Sequence, residues 1–189
     1  MTNKATIRLL TGTMFSGKTG KALAIGKAMD IDKRFTMYFR YGKFKGFKMS
    51  FYDMLDTISS RDGISADAMS VESEDEIGEV YKRFMLPKVM VIDEVQFFQP
   101  SIADFCVNLR DKGVSSILAG FDKWYTGEKV ETVARIESIA DVVSYSYVRC
   151  GCGKLATHSL RLSGSDELIE LGNNYVPVCE KCFYERKRK

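Results

Sequence analysis

An α/β fold, a mostly parallel sheet with helices on both faces, is predicted over the first three quarters of the sequence by three observations. Strand-like runs rich in β-branched residues alternate with helix-like segments. The runs "KVMVIDEV" and "VSSILAG" are nearly continuous in apolar residues, as strands buried on both faces must be. A glycine-rich loop stands between a strand and a helix close to the start. With 189 residues and 45% apolar content, the chain can bury one good core plus a small appendage.

Taken in order, "ATIRLL" is a strand that leads into the loop, "GKTGKALAIGKAMD" a helix, and "RFTMYFRY" a second strand. An irregular stretch follows. "SEDEIGEVYKRF" is a helix with Ser73 as its cap and Glu76 three residues on. "KVMVIDEV" is a buried strand, "PSIADFCVNLRDKG" a helix with Pro100 at its start and Gly113 beyond its end, and "VSSILAG" another buried strand. From Val148 the character changes to cysteines, glycines and short polar segments. The division is therefore placed at residues 1–147 for the α/β domain and 148–189 for a small module, which ends in a solvated, frayed basic tail, "ERKRK".

The charge balance excludes some functions. Lys and Arg total 28 against 25 Asp and Glu, a net +3, too mild for a protein that coats nucleic acid. No apolar run reaches membrane-spanning length and the first residues lack a signal-peptide core, so a cytoplasmic location is expected. Residues 33–48 carry six basic and six aromatic side chains and no acid. That stretch is either a single-strand nucleic-acid platform or, preferably, a strand followed by a mobile flap beside the phosphates.

The segment "GTMFSGKT" fits G-x-x-x-x-G-K-[ST] through Gly12, Gly17, Lys18 and Thr19, with the required strand before it and helix after it. Backbone N–H groups from Gly12, Thr13, Met14, Phe15, Ser16 and Gly17 can then cradle phosphates, Lys18 reaches the β and γ oxygens, and the Thr19 hydroxyl takes Mg²⁺. The fold is therefore P-loop NTPase-like and the ligand a nucleoside triphosphate. "VMVIDEVQFF" sets Asp93 and Glu94 at the carboxyl end of a buried strand, where ligands sit in open α/β sheets. Asp93 suits the second Mg²⁺ contact. Glu94 is left to serve either an acceptor hydroxyl, as in a kinase, or a water, as in an ATPase.

Cys150-x-Cys152 and Cys179-x-x-Cys182, separated by 26 residues, suit a structural Zn²⁺ held by four thiolates. The first pair is tighter than the commoner two-residue spacing, so His158, the only histidine, is a substitute ligand should one thiol drop out. Free thiols or a redox pair are the other options. Cys106 shares one helical face with Ile102, Phe105 and Leu109 and is read as a core residue.

These segments together resemble the type II thymidine kinases. "GTMFSGKT", "IDEVQFF", "AGFDKWYTGE", "IADVV" and "LGNNYVPVCEKCFY" occur in the family's order and at similar spacings over nearly the whole chain. The resemblance implies transfer of the γ-phosphate of ATP to the 5′-hydroxyl of thymidine or deoxyuridine, a need for Mg²⁺, a structural zinc and a homotetramer. Carried over by position, Glu94 is the base for the nucleoside hydroxyl, and Asp93, Glu94, Val95 and Gln96 border the nucleotide. Met14 and Phe97 flank the base, and Tyr125 stands where the family has a phenylalanine. A lasso loop in the zinc module closes on the base, with Ser159, the backbone of Leu168, Ile169, Glu170, Leu171 and Gly172, and Tyr175 reading its polar edge.

The sequence departs from the family's pattern in several places. Thr13 replaces a proline, Phe121 a leucine, and Trp124 a small or acidic residue; "MYFRYGKFKGF" lies where Lys-Pro-x-x-Asp is common, and "GNNY" is two residues short. The rival from another class is a zinc-bearing P-loop ATPase that binds single-stranded nucleic acid.

Overall fold

The computed structural model describes residues 4–31, 35–43, 55–84, 87–162 and 174–187. Seven strands form the main sheet: β1 (Ile7–Gly12), β2 (Thr36–Tyr41), β3 (Leu55–Ser59), β4 (Ser65–Val71), β5 (Val89–Asp93), β6 (Ser115–Ala119) and β7 (Val142–Ser146). Their order is β3-β4-β2-β5-β6-β1-β7, and every neighbouring pair is parallel except β3–β4. The expected mostly parallel sheet is therefore present.

Alternation along the strands sends side chains to two separate cores. One face collects Ile7, Leu9, Phe39, Met90 and Ile92, covered by the helices α2 (Glu74–Phe84), α3 (Ile102–Asp111) and α4 (Glu131–Ile139). The opposite face collects Leu10, Tyr38, Val89, Val91 and Ile117 beneath α1 (Lys18–Ile31). Cys106 lies fully buried in the first core, where burial pushes its thiol up to about 12, and the core reading holds. Ser73 begins α2 as expected: its Oγ accepts from the Glu76 N–H at 3.3 Å, while the Glu76 carboxylate reaches back to the Glu72 N–H at 2.7 Å.

Two expectations need correction. The stretch read as irregular holds β3 and β4, joined by a turn in which the Gly63 N–H donates to the Ser60 carbonyl at 3.1 Å and Gly63 takes φ +82°. "SADAMSV" has little β propensity, and it is a strand because Ala68, Met69 and Val71 are buried beside β2, a tertiary preference outweighing a local one. The basic tail is also more ordered than expected, since Glu185 and Arg186 belong to the last helix, α5 (Glu180–Lys187). Within the basic aromatic stretch, Tyr38 and Phe39 are core residues, so these two rings cannot stack on bases. The flap expected beyond residue 43 lies outside the described residues.

The small module is a two-stranded antiparallel ladder, β8 (His158–Arg161) with β9 (Tyr175–Val178), followed by α5. Its own core of Cys150, Ala156, Val178, Cys179 and Phe183 is small. It sits against the main domain: a Cβ on Gly127 would come within 3.0 Å of the Phe183 ring.

Edge strand β7 is held in register by Asp141. Its carboxylate accepts from the Ile7 N–H at 2.8 Å, its own N–H donates to the Ile7 carbonyl at 2.9 Å, and Arg110 lies 3.4 Å away. The Ile7 N–H, helped by Arg110, holds the carboxyl below the ordinary carboxylate range. Asp141→Ala should cost about 1 kcal/mol, the usual worth of one hydrogen bond, since a partly exposed ion pair adds little. Because the folded value is depressed, this contribution is complete above the unfolded value of about 3.9 and is lost as pH falls through the folded one. Urea unfolding of both proteins at neutral pH and in acid checks it: the difference between them should shrink in acid.

Candidate active site

The carboxyl ends of β1 and β5 carry the chemistry. β1 ends at Gly12, whose φ of +126° suits glycine alone, and a Cβ there would overlap the Ser146 carbonyl of β7. The chain then turns over the sheet edge through Phe15 (φ 63°) and Gly17 (φ 76°) into α1. Within this loop the Ser16 hydroxyl donates to the Thr13 carbonyl at 2.8 Å, and Lys18 Nζ donates to the same carbonyl at 2.6 Å. Thr13 works through its backbone; its hydroxyl is buried without a hydrogen-bond partner among the described residues.

Thr19 and Asp93, expected to share a cation, meet directly. The Thr19 hydroxyl donates to Asp93 Oδ2 at 3.0 Å. Burial, then the charge of Glu94, raises the Asp93 carboxyl well above its ordinary value. Burial brings Lys18 down to about 8, against the opposing pull of Glu94, Asp93 and Asp122. A hydroxyl and a carboxylate at this spacing are hard oxygen donors of the kind that hold Mg²⁺ with several of its waters kept.

Glu94 follows Asp93 in the left-handed conformation, φ 57° and ψ 40°, which costs a non-glycine residue about 1–3 kcal/mol. The kink takes Glu94 out of the buried strand into an exposed position on the cleft wall, where Gln96 Nε2 donates to its carboxylate. Of the segment expected to border the nucleotide, Asp93 and Glu94 line the cleft, whereas Val95 is fully buried in the core and Gln96 is buried behind Glu94. Gly120, which follows β6, the strand between β1 and β5, must be small, because a Cβ there would stand 2.6 Å from Gln96 Oε1.

The cleft has a volume of about 380 Å³. Its wall includes the phosphate loop from Met14 to Thr19 and the acidic pair, together with Phe97, Phe121, Trp124, Tyr125, Ser159 and Tyr175. Phe97, Phe121 and Trp124 form one aromatic cluster, with ring centroids 5.2 to 6.3 Å apart. Ser159 Oγ accepts from the Met14 N–H at 3.2 Å, tying β8 to the phosphate loop. Met14, Phe97, Tyr125, Ser159 and Tyr175 are thus gathered in one place. Leu168, Ile169, Glu170, Leu171 and Gly172 lie outside the described residues.

The site also takes residues for which the sequence carries no expectation. Ser59, Ser60, Arg61 and Asp62 reach the cleft from the β3–β4 turn, with the Arg61 guanidinium 3.9 Å from the centre of the Phe15 ring. Their only sequence signal is the short turn segment "SSRDG" that carries them. Arg161 had none: an arginine in a short strand is ordinary in sequence, yet here it is buried, 3.6 Å from the centre of the Tyr125 ring.

The sulfurs of Cys150, Cys152, Cys179 and Cys182 lie within 4.8 Å of one another, so the four cysteines can hold a structural metal ion. Tetrahedral thiolates at a bond length of about 2.3 Å would stand about 3.8 Å apart, and Cys152 and Cys179 are at 3.5 Å. The tight first pair is accommodated by a turn in which the Gly153 N–H donates to the Cys150 carbonyl at 2.8 Å, with Gly153 at φ +86°. His158 is outside the group. It is stacked on Phe183 at 4.5 Å, with Nδ1 3.0 Å from the Thr157 hydroxyl.

The family model described as "Thymidine kinase" matches residues 5–183. Relatives named thymidine kinase include one from Mycoplasma capricolum, 28% identical over 96% of this chain and 90% of its own length. Another, from Bacteroides thetaiotaomicron, is 30% identical over 94% and 86%, and one from Ureaplasma parvum is 32% identical over 92% and 80%. With the match running from the first strand to the last helix, the chain belongs to the thymidine kinase family.

Proposed function

We propose that the protein transfers the γ-phosphate of ATP to the 5′-hydroxyl of thymidine or deoxyuridine. The observation that carries this reading is a single cleft lined by both halves of such a reaction: the phosphate loop with Lys18, Thr19 and Asp93, and an aromatic wall with Glu94 beside it. Phosphoryl transfer requires positioning and charge stabilisation above all. Lys18 and the loop N–H groups other than that of Met14, which donates to Ser159, hold the phosphates. Mg²⁺, held by Thr19 and Asp93, would supply charge neutralisation on the phosphate oxygens. Glu94 is exposed to the cleft, so its carboxylate can accept the proton of an acceptor hydroxyl.

The nucleoside ring lies among Met14, Phe97, Tyr125 and Tyr175. Aromatic faces provide stacking area without base identity, so discrimination falls to polar groups fixed around the ring. The cysteine centre takes Zn²⁺, since four thiolates are its preferred structural donor set. The family resemblance favours a homotetramer in the cytoplasm. In the described residues no helix is long and apolar enough to cross a membrane.

Three outcomes check these roles. ATP consumption measured with thymidine, deoxyuridine, deoxycytidine or no acceptor should depend on nucleoside and favour thymidine; consumption without acceptor, stimulated by single-stranded DNA, would overturn the kinase reading. Glu94→Gln preserves shape but not basicity, so turnover should fall by about 10²- to 10⁴-fold with ATP affinity kept, as steady-state kinetics beside ATP titration would show. Cys179→Ser should lose its bound zinc by elemental analysis and lose thymidine affinity, while ATP binding through the phosphate loop remains measurable.

A further inference from the structure

Glu94 and Gln96 belong to the tight turn that follows β5, a short 3₁₀ segment over Val95–Phe97. The Phe97 N–H donates to the Glu94 carbonyl and the Phe98 N–H to the Val95 carbonyl, both at 3.1 Å. The left-handed backbone of Glu94 ends the inward run of the strand, and side chains leave the turn in two directions. Glu94 and Phe97 line the cleft, whereas Val95 and Gln96 are buried and do not.

A buried glutamine is a costly occupant of that position. Gln96 is 3% exposed; its Nε2 donates to Glu94 Oε2, while its Oε1 is buried without a hydrogen-bond partner among the described residues. A buried amide oxygen that meets no donor is unfavourable, and a methionine of similar length would remove that cost. The amide is also closed in on its oxygen side, where a Cβ on Gly120 would stand 2.6 Å away. Packing alone therefore gives no reason for an amide here, and the contact with Glu94 does. Glu94 is a long, flexible, exposed side chain, so its own surroundings select no single orientation. Among the described residues Gln96 is the sole side-chain partner of its carboxylate. With Oε2 engaged, Oε1 is the oxygen that remains for an acceptor hydroxyl.

We propose that Gln96 is a positioning residue for phosphoryl transfer: it pins one oxygen of the Glu94 carboxylate and so holds the other toward the cleft, acting from behind Glu94 without touching nucleotide or nucleoside. The proposal deepens the reading of Glu94 as the base and rests on it. In the step, the acceptor hydroxyl gives its proton to Glu94 Oε1, its oxygen forms the bond to the γ-phosphorus, and the bond from that phosphorus to the leaving oxygen of ADP breaks. Gln96 gains and loses no proton. Its part is to keep the accepting oxygen in place, which matters because small misplacements of a reacting group cost rate steeply.

The test is kcat and the KM values for ATP and thymidine, with urea unfolding alongside, in the wild type, Gln96→Met, Glu94→Gln and the double variant. Gln96→Met should lower kcat about 10- to 100-fold, keep both KM values within about twofold, and unfold at the same or a higher urea concentration than wild type. A rise in the KM for ATP with kcat kept would make Gln96 a nucleotide contact, and a fall in kcat matched by lost stability would make its role one of packing; each overturns the proposal. Added to Glu94→Gln, Gln96→Met should lower kcat no further, since no base is left to position, and multiplied losses overturn the link. Should Gln96→Met fail to fold, Gln96→Asn decides, because it keeps an amide but, a carbon shorter, withdraws it from Glu94. There too kcat should fall with both KM values kept, and wild-type turnover overturns the proposal. Near-wild-type turnover in Glu94→Gln sinks the reading of Glu94 and the proposal together. An inactive Glu94→Gln beside a fully active Gln96→Met sinks the proposal alone.

Discussion

Lys18 and Asp93 are opposite charges drawn out of water at the same edge of a parallel sheet, and neither is comfortable there. Burial works against the ammonium of one and the carboxylate of the other, and Glu94 raises the Asp93 carboxyl further. The rest of the site is arranged around this imbalance. Gly12, Phe15 and Gly17 adopt backbone conformations that fold the loop back over the sheet, Thr19 bridges from α1 to Asp93, and Gly120 keeps the intervening strand end narrow. A polyphosphate beside Lys18 and a hard cation beside Asp93 would add opposite charge to each, in surroundings where such interactions are strong. The electrostatics thus favour the ligand pair that phosphoryl transfer needs.

Much of this was legible in the sequence, for physical reasons that differ from one element to another. The phosphate loop was legible because its chemistry leaves few alternatives: close backbone approach demands Gly12 and Gly17, and a phosphate cradle demands Lys18 and Thr19. The central strands were legible because burial on both faces removes polar residues from the run. The β3–β4 hairpin was not, since "SADAMSV" becomes a strand only by lying beside β2. Nor was Arg161, because nothing local distinguishes an arginine that faces water from one stacked on a tyrosine more than thirty residues away. The four cysteines were found by spacing, but the choice between Cys150 and His158 needed the geometry that sets His158 against Phe183 instead.

The aromatic wall shows what the departures from the family pattern do. Phe121 and Trp124, which stand where the family resemblance implies smaller residues, pack edge-on, 5.2 Å between ring centres, with Phe97 completing the group. Edge-on contacts let large rings fill the wall without stacking face to face. Both Phe121 and Trp124 also pack against the main core. The small module also meets the main domain where Gly127 lies against Phe183, a contact that leaves no room for a side chain.

The position of β1 inside the sheet has a consequence for synthesis. Its partners are among the most distant in the chain: Thr6 donates to a side chain 109 residues further on, and Ile7 to one 134 residues away. During translation the strand that bears the phosphate loop emerges well before β6 and β7 exist to flank it, and Ser159, which secures Met14, comes 145 residues after that loop residue. The nucleotide site therefore cannot assemble on the ribosome until most of the polypeptide is made. Sheets closed by such late pairings tend to fold slowly, and until β6 and β7 arrive the apolar residues of β1 have no strand partner.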